Sequence, residues 1–216
     1  MNPTLRLTAY IDYKSPFAYL AFDRIRALAI QYRVEIDWQP YILDLQALAG
    51  PPEQRTERTQ RRLRYSYMDA RRQAAARGLV LRSPRKLYDG RLAGMGLILS
   101  REHGVEERYS AAVLQGFWSH QLDLDDAVAI QSILSSLGLS PESLSTFSEG
   151  EGPRRLAAIQ AQAEAIGVFG VPTTVFEGEL FWGGDRLDLL ASRLALRLAE
   201  GPAQERAARP PPPSQS

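Results

Sequence analysis

The stretch Tyr10-Ile11-Asp12-Tyr13-Lys14-Ser15-Pro16-Phe17-Ala18-Tyr19-Leu20 reads as the end of a strand, a short turn and the start of a helix. Leu5, Leu7, Ala9 and Ile11 alternate with Arg6, Thr8, Tyr10 and Asp12, which is strand periodicity. Ser15 precedes Pro16, and serine at the N-cap followed by proline at the first helical position is a strong helix start, because that position has no N–H bond to lose. Phe17, Ala18, Leu20, Ala21, Ile25, Leu28 and Ala29 give the helix an apolar side. A single hydroxyl therefore sits at the positive end of a helix, at the tip of a strand. Open α/β folds place anionic ligands and activated nucleophiles there. Read alone, Ser15 is first of all a helix cap, and the far end of the chain is what adds a chemical role.

Outward from this stretch, Val34, Ile36 and Trp38 alternate with Glu35 and Asp37 and predict a second strand ending at Pro40. With the first strand and helix this makes a β-α-β unit with a parallel pair. Residues 41–52 read as an irregular connection ending in Gly50-Pro51-Pro52. From Glu53 to about Ser148 the pattern is helical. Helices are expected over 56–77, 92–101, 105–120 and 125–137, and a short one beginning at Ser140-Pro141-Glu142. Pro153 starts a further helix that Gly167 ends, Thr173–Phe176 and Leu180–Trp182 flank the tight turn Glu177-Gly178 as a hairpin, and Asp185 is placed to cap a final helix. The order β-α-β, helices, α-β-β-α is a thioredoxin arrangement. The fold class expected is α/β: a thioredoxin-like core (1–40 and 153–200) with an inserted all-helical subdomain (41–152). The polar, proline-rich tail 201–216 is expected to be disordered.

Composition narrows the chemistry. The chain has 216 residues, a formal net charge of +1 and no cysteine. Disulfide exchange, thiolate metal ligands and a cysteine nucleophile are excluded, so any thiol chemistry must use a thiol from outside. His103 and His120 are the only histidines, too few for a histidine-based zinc site, and no metal is expected. The near-neutral charge argues against nucleic acid as a partner. No span of membrane length and no secretory leader pattern are seen, giving a cytoplasmic expectation.

Three motifs in register then carry a resemblance. Asp12–Leu20, Gly167-Val168-Phe169-Gly170-Val171-Pro172-Thr173 and Phe181-Trp182-Gly183-Gly184-Asp185-Arg186-Leu187 resemble the 2-hydroxychromene-2-carboxylate isomerase family. That family is close to kappa-class glutathione transferases and to thioredoxin-fold disulfide oxidoreductases, with serine in place of the first oxidoreductase cysteine. The resemblance implies glutathione as cofactor and an aromatic pyruvate derivative, a small aromatic carboxylate, as substrate. It implies that Ser15 donates to the glutathione sulfur, with Phe17 beside it. Val171, ahead of a Pro172 bond expected to be cis, would offer its backbone to the cysteinyl unit, and Gly184 and Asp185 would hold the γ-glutamyl end. It also suggests a homodimer. A kappa-type transferase or peroxidase and a non-catalytic thioredoxin-like binding module are the rival readings.

The middle of the chain departs from the family. Gly50-Pro51 stands where the family has Gly–Asn, and in the next helix, where the family brings lysines with a tyrosine and an aspartate, this chain has Arg62, Arg64, Tyr65 and Asp69. Arg62, Arg64 and Tyr65 are the candidates there for a substrate carboxylate, against the alternative of a solvated basic face. Between residues 53 and 86 there are eleven basic and three acidic residues. Trp182 is a candidate substrate wall, or a core aromatic.

Overall fold

The structure is a computed structural model that describes residues 5–208. A four-stranded sheet in the order β2-β1-β3-β4 forms its centre, from β1 (Arg6–Ile11), β2 (Glu35–Pro40), β3 (Thr173–Phe176) and β4 (Glu179–Trp182). β1 runs parallel to β2, pairing Ala9 with Trp38, and antiparallel to β3, pairing Ala9 with Thr174. β3 and β4 form the expected hairpin, turning through Glu177 and Gly178, both at positive φ. This is the thioredoxin topology read from the element order.

Helix α1 (Pro16–Tyr32) crosses between the parallel strands. Ser15 caps it, accepting from the Ala18 N–H, and Arg33 ends it in the left-handed region. Its buried Phe22 packs on Trp38 of β2 with ring centroids 4.6 Å apart. After β2 the chain is less irregular than its sequence suggests. Asp44 caps a short helix α2 (Leu45–Ala49), and a 3₁₀ turn follows at Pro52–Gln54. Five residues are too few to display a helical period. The long arginine-rich helix α3 (Glu57–Ala75) comes next, then α4 (Arg91–Glu102), α5 (Glu106–Trp118), α6 (Ala127–Ser136) and α7 (Ser143–Glu149). Ser140-Pro141 does not cap α7. Glu142 occupies that position, and the Ser140 hydroxyl instead accepts from the Glu142 N–H across a local turn.

Helix α4 is the hub of the inserted helices. Every residue from Ala93 to Ser100 is buried, and the helix packs on β2, α5, α6, α7 and α8 (Gly152–Ala165). Such all-round burial needs close approach. A Cβ on Gly96 would lie 2.1 Å from the Tyr109 hydroxyl, which donates to the Ala93 carbonyl. Tyr109 in turn meets Tyr13 edge to face, and the Tyr13 hydroxyl bonds to Ser110 Oγ at 2.9 Å. The helical insertion and the strand–helix turn thus share one hydrophobic core.

A 3₁₀ turn (Gly184–Arg186) leads from β4 into α9 (Leu187–Ala208). The helix runs on through Gly201 and Pro202, where the sequence predicts a disordered tail. Residues 203–208 are mostly strong helix formers, and they extend the backbone beyond the break that Gly–Pro suggests. The Pro210–Pro213 run lies outside the described residues.

Candidate functional site

Ser15 sits where the strand β1 hands over to α1, and it is 4 % exposed. Its N–H donates to the Asp12 carbonyl at 3.0 Å, closing the turn. Its hydroxyl accepts from the Ala18 N–H at 3.1 Å and donates to the Val171 carbonyl at 3.4 Å. The second of these is long and weak, so the hydroxyl proton is easily redirected. No acidic side chain occupies the first turn of α1, so the positive end of the helix is not neutralised from within the helix.

Across from Ser15, the Val171–Pro172 peptide bond is cis. Two hydrogen bonds hold this loop: Thr173 Oγ1 donates to the Gly170 carbonyl at 2.7 Å, and the Gly183 N–H donates to the Pro172 carbonyl at 2.8 Å. The second fastens the end of β4 to the proline loop. Gly183 has φ +94, and a Cβ there would lie 2.6 Å from Asp185 Oδ1. Glycine at 183 therefore permits both the turn and the placement of the Asp185 carboxylate.

A cavity of about 780 Å³ joins these parts. Phe17, Val171, Pro172, Trp182, Gly184 and Asp185 line it together, which unites the first helix, the proline loop and the turn into α9. Ser15 reaches this wall through its bond to Val171. Asp185 does not cap α9 with its side chain. Gly183 takes the cap position, a 3₁₀ turn intervenes, and Asp185 Oδ2 accepts from Arg186 Nη1 at 2.9 Å in an exposed pair. Trp182 is not a core residue. It is 53 % exposed and packs against Phe169, 61 % exposed, with centroids 4.8 Å apart.

The structure does not bring Arg62, Arg64 and Tyr65 to this cavity. All three are exposed on the outer side of α3. Asp69 and Gln73 of that helix line the cavity instead, with Arg77 just beyond its end, at spacings of four that put them on one side. Gln73 Nε2 donates to Asp69 Oδ2 at 2.8 Å, and Arg77 Nη1 donates to the Leu20 carbonyl at 2.7 Å. Arg24 adds a third cation to Arg77 and Arg186, and its Nη1 donates to the Gly184 carbonyl at 2.6 Å. Of this wall, the family resemblance pointed to Asp69 alone; the 69–73–77 spacing is the signal that could have found Gln73 and Arg77, and nothing local distinguishes Arg24. Gly50, which ends α2 at φ +70, and Pro51 do not line the cavity.

Beneath the turn lies a second feature that its sequence conceals. Asp12 is 1 % exposed and Lys14 6 %. Both Asp12 oxygens accept hydrogen bonds, Oδ1 from the Lys14 N–H at 2.9 Å and Oδ2 from the Leu43 N–H at 2.7 Å. Burial pushes the Asp12 carboxyl up from the ordinary range, and the Lys14 ammonium 3.5 Å away pulls against it. A second cavity, of about 920 Å³, is lined by Lys14, Leu43, Tyr88, Asp89, Met95 and Leu156 among others, and by none of the other residues singled out as candidates in the sequence. Among the described residues no cluster of His, Cys, Asp or Glu is placed to hold a metal, and no helix is long and apolar enough to cross a membrane.

Known proteins resemble this chain along nearly its whole length. Residues 6–195 match the family described as DSBA-like thioredoxin domain. A 2-hydroxychromene-2-carboxylate isomerase of Sphingobium xenophagum is 28% identical over 197 residues, covering 88% of this chain and 98% of that protein. One from Pseudomonas putida is 29% identical over 192 residues, covering 86% and 92%. Among solved structures, a 2-hydroxychromene-2-carboxylate isomerase superposes with a TM-score of 0.77 at 27% identity, covering 93% of this chain and 98% of its own. A probable DsbA oxidoreductase of Streptomyces coelicolor, 19% identical with a TM-score of 0.71, shares the fold.

Proposed function

The chain belongs to the DSBA-like thioredoxin domain family, and from that footing we propose that it is a glutathione-dependent isomerase of the 2-hydroxychromene-2-carboxylate type. The observation that carries the proposal is the meeting of the Ser15 hydroxyl, the α1 N-terminus and the Val171–Pro172 loop beside a cavity that ends at Asp185. The chain has no thiol of its own, so this oxidoreductase-like site calls for a borrowed one.

The residues suit glutathione. Its free amine matches the exposed Asp185 carboxylate, and its two carboxylates match a wall carrying Arg24, Arg77 and Arg186. The Val171 backbone is placed to pair with an extended peptide as an added strand would. Glutathione held there would supply a thiolate nucleophile, the chemistry needed for reversible addition to the conjugated double bond of an aromatic pyruvate.

The protein's own part is activation and positioning. Ser15 turns its proton from the Val171 carbonyl toward sulfur while still accepting from the Ala18 N–H. That donation and the helix N-terminus both favour thiolate over thiol. Phe17 and Pro172 shield the sulfur from water, and Trp182 offers an exposed ring face to an aromatic substrate.

The test is calorimetric titration with glutathione, followed by thiolate absorbance and by conversion of 2-hydroxychromene-2-carboxylate. Binding with thiolate formed below the free thiol's pKa, together with turnover, supports the reading. Turnover of electrophilic aromatics alone would move the protein to the transferases. Absence of binding at millimolar glutathione would leave a thioredoxin-like binding module.

A further inference from the structure

We propose that Lys14, acting with Asp12, is a positioning residue that fixes the Ser15 hydroxyl to the inserted helical part of the chain. Three segments meet at this buried pair. Lys14 Nζ donates to the Leu43 carbonyl at 3.0 Å, just after β2, and to the Asp89 carbonyl at 2.6 Å, just before α4. Its third neighbour is Asp12 Oδ2. Asp12 returns the tie by accepting from the Leu43 N–H, and its own carbonyl receives the Ser15 N–H. Two hydrogen bonds and an ion pair of the ammonium, and both oxygens of the carboxylate, are thus used in joining the 12–15 turn to the chain around 43 and 89.

Gly90 completes the arrangement. It adopts φ +78, and a Cβ there would stand 3.1 Å from Lys14 Cε, so the lysine stem lies flat against glycine backbone. A buried ion pair seldom adds net stability over apolar side chains of the same size. Its use here is conformational: two charges satisfied in only one geometry specify the turn that carries Ser15. The same geometry explains how α4 and the segment after β2, remote in sequence, help place the hydroxyl.

The experiment compares amide hydrogen exchange at Ala18 and Phe22 by NMR in the wild-type protein and in Lys14→Met. The Ala18 N–H is held by Ser15 Oγ, whereas Phe22 lies inside the helix. Loss of Ser15 orientation speeds Ala18 about tenfold relative to Phe22, whereas general destabilisation speeds both alike and leaves the ratio unchanged. Asp12→Asn/Lys14→Met leaves no buried charge unpaired and serves if the single variant does not fold. That the oriented hydroxyl acts on a thiol rests on the proposed function, and the thiol pKa of bound glutathione should rise in the same variants. If the wild-type protein binds no glutathione, that reading fails while the exchange ratio still decides the positioning. An unchanged ratio, or an unchanged thiol pKa in a variant that binds glutathione, overturns the proposal.

Discussion

Replacing Ser15 by alanine separates its two roles, because they have different energetic signatures. As a cap, the hydroxyl accepts from the Ala18 N–H at 3.1 Å, and losing such a cap costs about 1 kcal/mol of stability. The 3.4 Å bond to Val171 adds little to this. As the proposed activating donor it would make a hydrogen bond to a charged sulfur, worth about 1.5–3 kcal/mol to the ionised form. At 1.36 kcal/mol per pKa unit, removing it should raise the thiol pKa of bound glutathione by about one to two units. At a pH below the bound thiol's own pKa the thiolate fraction then falls by about ten- to a hundredfold, and by less above it, and turnover should fall with it. The assay pairs urea unfolding with thiolate absorbance of bound glutathione across pH. A stability loss of about 1 kcal/mol with no movement of the thiol pKa refutes the argument and leaves Ser15 as a cap alone.

Further outcomes follow from other parts of the site. Trp38 and Trp118 are fully buried while Trp182 is 53 % exposed, so acrylamide should quench chiefly Trp182, and saturating glutathione should shield it; quenching unaffected by glutathione would remove Trp182 from the ligand wall. Gly183→Ala places a side chain at φ +94 and crowds Asp185, so it should cost about 2 kcal/mol of stability and weaken glutathione binding, both read in parallel titrations. Burial pushes the Tyr13 hydroxyl well above its ordinary value. Its protonated form is thus favoured by folding, so that contribution is complete below pH of about 10 and declines as pH rises beyond it, by up to about 1.4 kcal/mol per unit. Tyr13→Phe should flatten the alkaline limb of urea stability measured against pH, and an unchanged slope would contradict this.

Much of the core was legible because its signals are local. Ser15-Pro16 marks a helix start, the alternation at 34–38 marks a strand, and Glu177-Gly178 supplies the two positive-φ positions that a tight hairpin requires. The three motifs that meet at the cavity were legible instead through their resemblance, in register, to a known family. What escaped depends on tertiary cover. Alternation over 5–12 marked a strand but gave no sign that both of its faces are covered: β1 is a central strand, Tyr10 is buried on it, and Asp12, just past its end, is buried under its bonds to Lys14 and Leu43. Asp185 resembled a cap, but the backbone turn at Gly183 shifts the start of α9 past it. In an arginine-rich helix, composition does not say which face is inward, and the structure directs Asp69 and Gln73, with Arg77 beyond them, to the cavity in place of Arg62, Arg64 and Tyr65.

The bond between Ser15 and Val171 joins residues 156 positions apart, and β1 finds its antiparallel partner only in β3. During synthesis the β-α-β unit and the inserted helices can form well before residues 173–182 exist. Until then one side of β1 presents unpaired N–H and carbonyl groups, an edge that invites pairing with a strand of another chain. The site is therefore completed only after the β-α-β unit and the inserted helices exist. A nascent chain that stalls or is cut before the hairpin carries the serine, the helix and the inserted core, yet lacks the cavity wall that residues 180–186 supply and has an open sheet to hide. Protection of that edge during synthesis should therefore bear on how much folded protein this sequence yields, apart from the stability of the finished fold.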